Sequence, residues 1–225
     1  IWIIIFGAMG LYLSGVLKFK NDSDTPINFG FIRISTIVIT FSFCIYMGLG
    51  LFGQSIPALA GIIPPYKSSE KTIGDWNENI KYANILHLPH GLKGYFDYDE
   101  GKNCALSLDK PLFLDFTGHA CFNCRRMEEN VWIDSTVKKI LEEDYVIVAL
   151  YVDDKTSLSK ESEYKTIGKK NFNFQVNQFN SNAQPFYVLL DPRDGEVLVD
   201  PKAYDTSIEN FIEFLENGKD EYFVK

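Results

Sequence analysis

The distribution of charged residues divides this chain into two unlike parts. Residues 1–65 contain only five charged side chains, whereas the remaining 160 residues contain 47. A segment with so few charges is typical of a membrane region, while the second part has the composition of an ordinary soluble domain. The second part also carries all of the net negative charge of the chain. An acidic domain of this kind lacks the basic patch of nucleic-acid-binding proteins, so we expect no nucleic-acid partner.

Two apolar segments in the first part are predicted to be transmembrane helices. The first covers residues 1–17, and the second, residues 34–53, is long enough for about 30 Å of α-helix. A signal peptide is the alternative for the first segment, but a basic n-region and a small-residue cleavage site are missing. A buried core helix is the alternative for the second, although such helices are rarely apolar on every face. Because the chain begins at Ile1, we interpret it as part of a longer protein.

Basic residues between the two apolar segments give an expectation for topology. Lys18, Lys20 and Arg33 lie in or beside this connection, which by the positive-inside tendency places it in the cytoplasm. The residues after the second segment would then lie outside the cytoplasm. We therefore predict a membrane segment over residues 1–65, a linker over residues 66–95 and a soluble domain over residues 96–225.

The soluble part shows alternating helix and strand patterns. Short apolar runs at residues 111–117 and 145–152 predict buried strands, and residues 186–190 and 196–199 flank an Asp-Pro-Arg-Asp-Gly turn that predicts a hairpin. Helical spacing occurs at residues 97–109, 121–131, 134–143, 172–179 and 206–217, the last predicted to end at Gly218. The order βαβαββα predicts an α/β domain with a mixed sheet flanked by helices.

The pair Cys121 and Cys124 is the strongest chemical signal in the chain. The two cysteines follow a predicted buried strand and begin a predicted helix, where unpaired N–H groups and the helix dipole favour a thiolate. Covalent haem attachment is excluded because Arg125, not His, follows Cys124. A structural zinc site would need two further ligands, usually a second close pair, and two buried cysteines that merely pack are the remaining alternative.

These residues also carry a family resemblance. The segment 115–128 (DFTGHACFNCRRME), with 146–154 and 182–191, resembles thioredoxin-like domains and most closely the C-terminal domain of the DsbD family of bacterial thiol:disulfide interchange proteins. The resemblance implies a thioredoxin-like fold, with Cys121 as nucleophile and Cys124 as resolving thiol. It also implies that Asp115 and Glu128 are acidic neighbours of the pair and that Pro185 is a cis-proline facing it.

The same resemblance implies a function and a location. The DsbD family has a multi-span electron conduit followed by such a domain, so we expect a membrane-anchored protein-disulfide reductase in the bacterial inner membrane, with its domain in the periplasm. Its partners would be an upstream membrane electron-conduit domain and extracytoplasmic disulfide-bearing client proteins, and no cofactor is expected. The alternatives are a reductase dedicated to cytochrome c maturation and a tethered metal-handling module similar to a copper chaperone.

Each supporting residue also has a simpler interpretation. Asp115 would be an edge-exposed aspartate, and Glu128 would lie on a solvated helix face. His119 is expected at the surface, and the neighbouring Arg125 and Arg126 either favour the thiolate or lie on a solvated face. Two further cysteines complete the set: Cys104 is expected to be a small core residue, and Cys44 lies within the second apolar segment, where a relay role is the less favoured interpretation.

Overall fold

The chain divides into two compact units, Ile1–Ala58 and Leu59–Lys225. The computed structural model describes residues 1–20, 22, 30–51, 80–159 and 161–225. Most of the predicted linker, residues 66–79, and the end of the second predicted transmembrane segment, residues 52–53, lie outside the described residues.

The first unit contains two apolar helices, α1 (Trp2–Leu13) and α2 (Phe31–Leu51). They pack closely at Gly10, where an added Cβ would lie 2.9 Å from the ring of Phe41. Within the described residues, one helix is long and apolar enough to cross a membrane, with a qualifying stretch at Phe31–Leu49. Helix α1 has 12 residues, about 18 Å, which is shorter than a bilayer core of about 30 Å. The part of the chain that the structure describes thus contains one membrane-spanning candidate, and the other transmembrane helix stays a prediction.

The second unit is built on a three-stranded mixed sheet. Its strands are β1 (Leu112–Thr117), β2 (Val146–Tyr151) and β3 (Phe186–Leu190), in the order β2-β1-β3. Strand β1 pairs parallel with β2 and antiparallel with β3, so β1 is the central strand. Every residue of the three strands is buried, as the apolar runs in the sequence predict, and the buried residues include Asp115 in the middle of β1.

Helices cover the sheet, and a hydrophobic core lies on each of its faces. Helix α4 (Phe122–Met127) begins directly after Cys121 and continues into a π-helical turn at Glu128–Trp132. Side chains at the N-caps fix where three other helices begin, because Asp97, Asp134 and Thr166 each accept a hydrogen bond from the first turn. The helices of this unit are α3 (Tyr98–Leu108), α4 (Phe122–Met127), α5 (Ser135–Asp144), α6 (Ile167–Phe179) and α7 (Ile208–Val224). These features confirm the predicted mixed α/β fold.

The predicted hairpin after β3 does not form as two continuous strands. The returning chain meets β3 only at two isolated bridges, Leu190–Val197 and Tyr187–Lys202. Val197 and Lys202 are five positions apart, whereas Leu190 and Tyr187 are three apart, so the returning chain cannot keep register along β3. Pro201 lies inside this stretch and has no N–H to donate to a ladder. The predicted strand at residues 196–199 is therefore wrong.

Helix α7 does not end at Gly218, contrary to the sequence prediction, but continues to Val224. Gly218 is buried, and an added Cβ would lie 2.2 Å from Cδ1 of Leu189 and 3.0 Å from the hydroxyl oxygen of Tyr145. The glycine is therefore present to let the helix approach β3 closely, rather than to terminate the helix.

Candidate active site

Cys121 and Cys124 form a disulfide at the start of helix α4, with their Cα atoms 5.3 Å apart. Cys121 is the N-cap residue, and its Sγ accepts a hydrogen bond from the backbone N–H of Cys124 at 3.1 Å. Cys124 is only 2% exposed, whereas Cys121 is half-buried. The sulfur of Cys121 is thus the more accessible of the two. This asymmetry fits an attacking Cys121 and a resolving Cys124, and those two roles stay a prediction.

Asp115 lies inside the protein, on the central strand. Its register partners are Ala149 on β2 and Tyr187 on β3, and it is 3% exposed. Its Oδ1 has no hydrogen-bond partner among the described residues. Burial raises the pKa of Asp115 well above its ordinary value; the nearby Glu128 carboxyl raises it further, and Arg125 lowers it. The interpretation of Asp115 as an edge-exposed aspartate is therefore wrong.

Glu128 begins the π-helical turn and is paired with a buried arginine. Its Oε1 lies 2.7 Å from Nη2 of Arg125, which also donates a hydrogen bond to Oγ1 of Thr117 at 3.2 Å. Glu128 and Arg125 are 7% and 8% exposed, so neither lies on a solvated helix face. Burial raises the pKa of Glu128 to about 7, with Arg125 opposing this shift and Glu129 adding to it.

Sequence reasoning assigned no partner to Arg125, although a signal was present. Glu128 lies three positions further along the same helix, a spacing at which oppositely charged side chains meet. Asp115, Glu128 and Arg125 together form what we call the buried charge cluster. The neighbouring Arg126 is exposed and lies over the ring of Phe122, with 6.0 Å from its Cζ to the ring centroid.

Two aspartates after β2 hold the loop that precedes the disulfide. The Asp153 carboxylate accepts hydrogen bonds from the backbone N–H groups of His119 (2.8 Å) and Ala120 (2.9 Å). His119 Nε2 lies 2.8 Å from Oδ2 of Asp154, and its ring lies over Tyr151 with centroids 4.6 Å apart. Burial works to raise the pKa of Asp154, but hydrogen bonds from His119 and Thr156 outweigh it and lower that pKa.

Sequence reasoning missed both aspartates. The available signal was topological, since the carboxyl ends of two neighbouring parallel strands lie at the same edge of a sheet. Residues that follow β1 and β2, such as His119 and Asp153, are therefore brought together.

The segment before β3 reaches the same region. The Gln184–Pro185 peptide bond is cis, and Gln184 lines a shallow groove of about 290 Å³. The disulfide opens onto this groove, whose other lining residues are Ala120, Cys121, Phe122, Asn123 and Asp153. The structure therefore brings Cys121 and the residue preceding Pro185 to one surface depression.

The remaining cysteines lie elsewhere in their units. Cys104, on α3, is half-buried and packs against the core around Leu114, as predicted for a small core residue. The Sγ of Cys44 lies 3.8 Å from the backbone oxygen of Ile3 within the first unit. Across the described ranges, no three His, Cys, Asp or Glu side chains are grouped as metal ligands.

Comparison with known proteins gives a family match and several similar solved structures. Residues 93–192 match the family described as thioredoxin-like. Similar solved structures include a DsbH oxidoreductase (18% identity, 61% of this chain and 93% of that one, TM-score 0.46) and a thioredoxin from Thermus thermophilus (19%, 55% and 84%, 0.43). Another is a disulphide isomerase from Xylella fastidiosa Temecula1 (13%, 59% and 97%, 0.35). The family match and the mixed sheet give the part of the chain that carries the Cys121–Cys124 disulfide a thioredoxin-like fold.

Proposed function

We propose that this chain is a membrane-anchored thiol–disulfide oxidoreductase that reduces disulfides of extracytoplasmic proteins. The observation that carries the proposal is the Cys121–Cys124 disulfide at the start of α4, with one accessible and one buried sulfur. A disulfide that opens onto a groove at a helix start has the features of a reactive pair rather than of a structural staple.

The reaction is two successive thiol–disulfide exchanges. In the reduced domain, the Cys121 thiolate attacks one sulfur of a client disulfide, forms a mixed disulfide and releases the other client sulfur as a thiolate. Cys124 then loses its proton and attacks Sγ of Cys121, which restores the Cys121–Cys124 disulfide and releases the second client thiolate. Two electrons pass to the client, whose two thiolates take up two protons. No cofactor takes part in either exchange.

The disulfide must then be reduced again by an external dithiol. We propose that this dithiol belongs to an upstream membrane electron-conduit domain, which passes two electrons to the pair and becomes oxidised itself. The apolar stretch Phe31–Leu49 supports the membrane anchor. The proposed location is the bacterial inner membrane, with the thioredoxin-like domain in the periplasm.

An equilibrium redox titration of the full chain in detergent tests the proposed chemistry. Against glutathione or dithiothreitol, we expect a two-electron transition of the Cys121–Cys124 pair within the range of related folds, roughly −270 to −120 mV. Thiol labelling and mass spectrometry would follow the pair. Stoichiometric bound metal with no disulfide exchange would contradict the proposal and favour a metal-handling module.

Reporter fusions test the proposed topology. We expect a reporter that is active only outside the cytoplasm to work when fused after Lys225 and to fail when inserted near Asn21. The reason is the cluster of basic residues around the first connection, Lys18, Lys20 and Arg33, which favours the cytoplasmic side. The reverse pattern would place the thioredoxin-like domain in the cytoplasm and contradict periplasmic reduction.

A further inference from the structure

The segment His87–Leu92, which we call the strap, is bonded to three elements around the candidate active site. The Tyr151 hydroxyl on β2 donates a hydrogen bond to the backbone oxygen of His87 at 2.9 Å. Lys138 Nζ on α5 donates to the backbone oxygen of His90 at 2.8 Å. The ring of His90 reaches the π-helical turn, with Nε2 2.8 Å from the backbone oxygen of Glu128.

The contact between His90 and Glu128 occurs where helix α4 changes its hydrogen-bond pattern. Glu128 is the first residue of the π-helical turn, a rare form that occurs mostly as single turns within α-helices and frequently at functional sites. A backbone carbonyl can only accept, so Nε2 of His90 must carry the hydrogen.

The backbone of the strap is held in a conformation that few residues adopt. His90 has φ +55° and the next residue, Gly91, has φ +72°. Two successive left-handed residues form a tight turn that is unfavourable for a non-glycine residue. Leu92, directly after this turn, is buried in the same core as Met127 and Trp132. Packing on one side and the Lys138 bond on the other thus hold the His90 ring against the π-helical turn.

We propose that His90 is a positioning residue that keeps the Glu128 carboxyl within the buried charge cluster by fixing the backbone of the π-helical turn. This inference rests on the proposed function, because Glu128 matters only if the cluster serves the Cys121–Cys124 pair. His90 itself does not contact the reacting sulfurs in this assignment; it acts through the main chain of the residue that carries the carboxyl.

The pKa of Glu128 is sensitive to a movement of the π-helical turn, because charged and titratable groups face its carboxyl from several elements. Arg125 and Glu129 lie on its own helix, Asp115 on β1, Tyr151 on β2 and Tyr187 on β3. A carboxyl that moves toward solvent loses the desolvation that raises its pKa to about 7. Without the His90 bond, we therefore expect the pKa of Glu128 to fall toward the ordinary glutamate value.

Two substitutions at His90 separate its hydrogen bond from its backbone conformation. His90→Asn suits a left-handed φ, but its amide is too short to reach the Glu128 carbonyl. His90→Gln is longer, and its amide nitrogen can occupy the place of Nε2. We expect His90→Asn to lower the pKa of Glu128 by about one unit and His90→Gln to restore most of the wild-type value. Carboxyl NMR on the full oxidised chain in detergent measures this pKa without any need for activity.

The rate of mixed-disulfide resolution, measured from pH 5 to pH 9, gives a second readout. In the wild-type chain we expect this rate to rise with pH through the titration of Glu128. The midpoint of the rise should move to lower pH in His90→Asn and return to the wild-type pH in His90→Gln. The proposal is overturned if neither variant moves the Glu128 titration, or if both move it equally. An NMR shift without disulfide exchange by the wild-type chain would support the positioning role and contradict the proposed function instead.

Lys138→Met provides an independent variant, because it removes the bond to the backbone of His90 and leaves the histidine ring in place. We expect a shift of the Glu128 titration in the same direction as His90→Asn, but smaller. This variant keeps the proposal testable if His90→Asn does not fold, and a wild-type Glu128 titration in a Lys138→Met chain would then overturn it.

Discussion

Cells that produce the Cys124→Ser chain are expected to accumulate mixed disulfides between Cys121 and client proteins. The half-buried Cys121 can still attack a client disulfide, but the buried position that should supply the resolving thiolate no longer holds a sulfur. Turnover of a disulfide substrate by the purified chain should fall by about a hundredfold or more, since the covalent intermediate is not resolved. Non-reducing gels and mass spectrometry of the trapped species measure the result.

The Cys121→Ser chain is the matched comparison for this prediction. It should lose turnover to a similar extent and yet trap little, because the remaining Cys124 is almost fully covered. Cys104→Ala should leave both readouts unchanged, since Cys104 packs against the core and not at the groove. Trapping by Cys121→Ser with none by Cys124→Ser would reverse the assigned roles.

The parts of the fold that the sequence predicts correctly depend on local patterns. Strands β1 and β2 appear as short, predominantly apolar runs, and α5 begins where Asp134 accepts hydrogen bonds from the first turn of the helix. Such signals are contained within a few neighbouring residues, so no knowledge of the tertiary structure is needed to read them.

The features that sequence analysis misses depend on contacts between distant segments. Gly218 has the sequence signature of a helix end, but its buried position against Leu189 on β3 determines its role. Arg125 resembles a surface residue until the pairing with Glu128 and Thr117 places it inside the protein. The bond from His90 to the carbonyl of Glu128 joins residues 38 positions apart, and no local pattern indicates it.

The candidate site shows the same division. The resemblance singled out Asp115 and Glu128 along with the cysteines, and the structure places both carboxyls in the buried charge cluster. The resemblance did not indicate how the pKa of each carboxyl is shifted, because these shifts depend on burial and on Arg125. Two carboxyls and one guanidinium share this buried region, where burial raises the pKa of both carboxyls and Arg125 opposes the rise.

This arrangement predicts that Asp115→Asn and Glu128→Gln slow the steps in which the Cys124 sulfur gains or loses a proton. If the two carboxyls exchange protons with Cys124, each substitution removes the group that accepts or returns the proton while it keeps the size of the side chain. We expect the rate of mixed-disulfide resolution to fall by about tenfold or more. In the wild-type chain this rate should rise with pH through the titration of Glu128 near pH 7, and Glu128→Gln should lose that inflection. Stopped-flow measurements between pH 5 and pH 9 would show both effects.

The pH dependence of stability separates this role from a loss of folding in the Asp115→Asn chain. Because burial raises the pKa of Asp115, the folded state retains a proton that the unfolded state releases above about pH 4. The free energy of unfolding of the wild-type domain therefore falls as pH rises from about 4 to the raised pKa of Asp115 in the folded state. The asparagine variant has no proton to lose at this position, so it lacks this decrease. Asp115→Asn should unfold at a higher denaturant concentration than the wild-type chain at pH 8, with a smaller difference at pH 5. A variant that is both more stable and slower at pH 8 assigns the carboxyl to proton transfer, and unchanged pH–rate profiles in both variants would leave the two acids with a structural role.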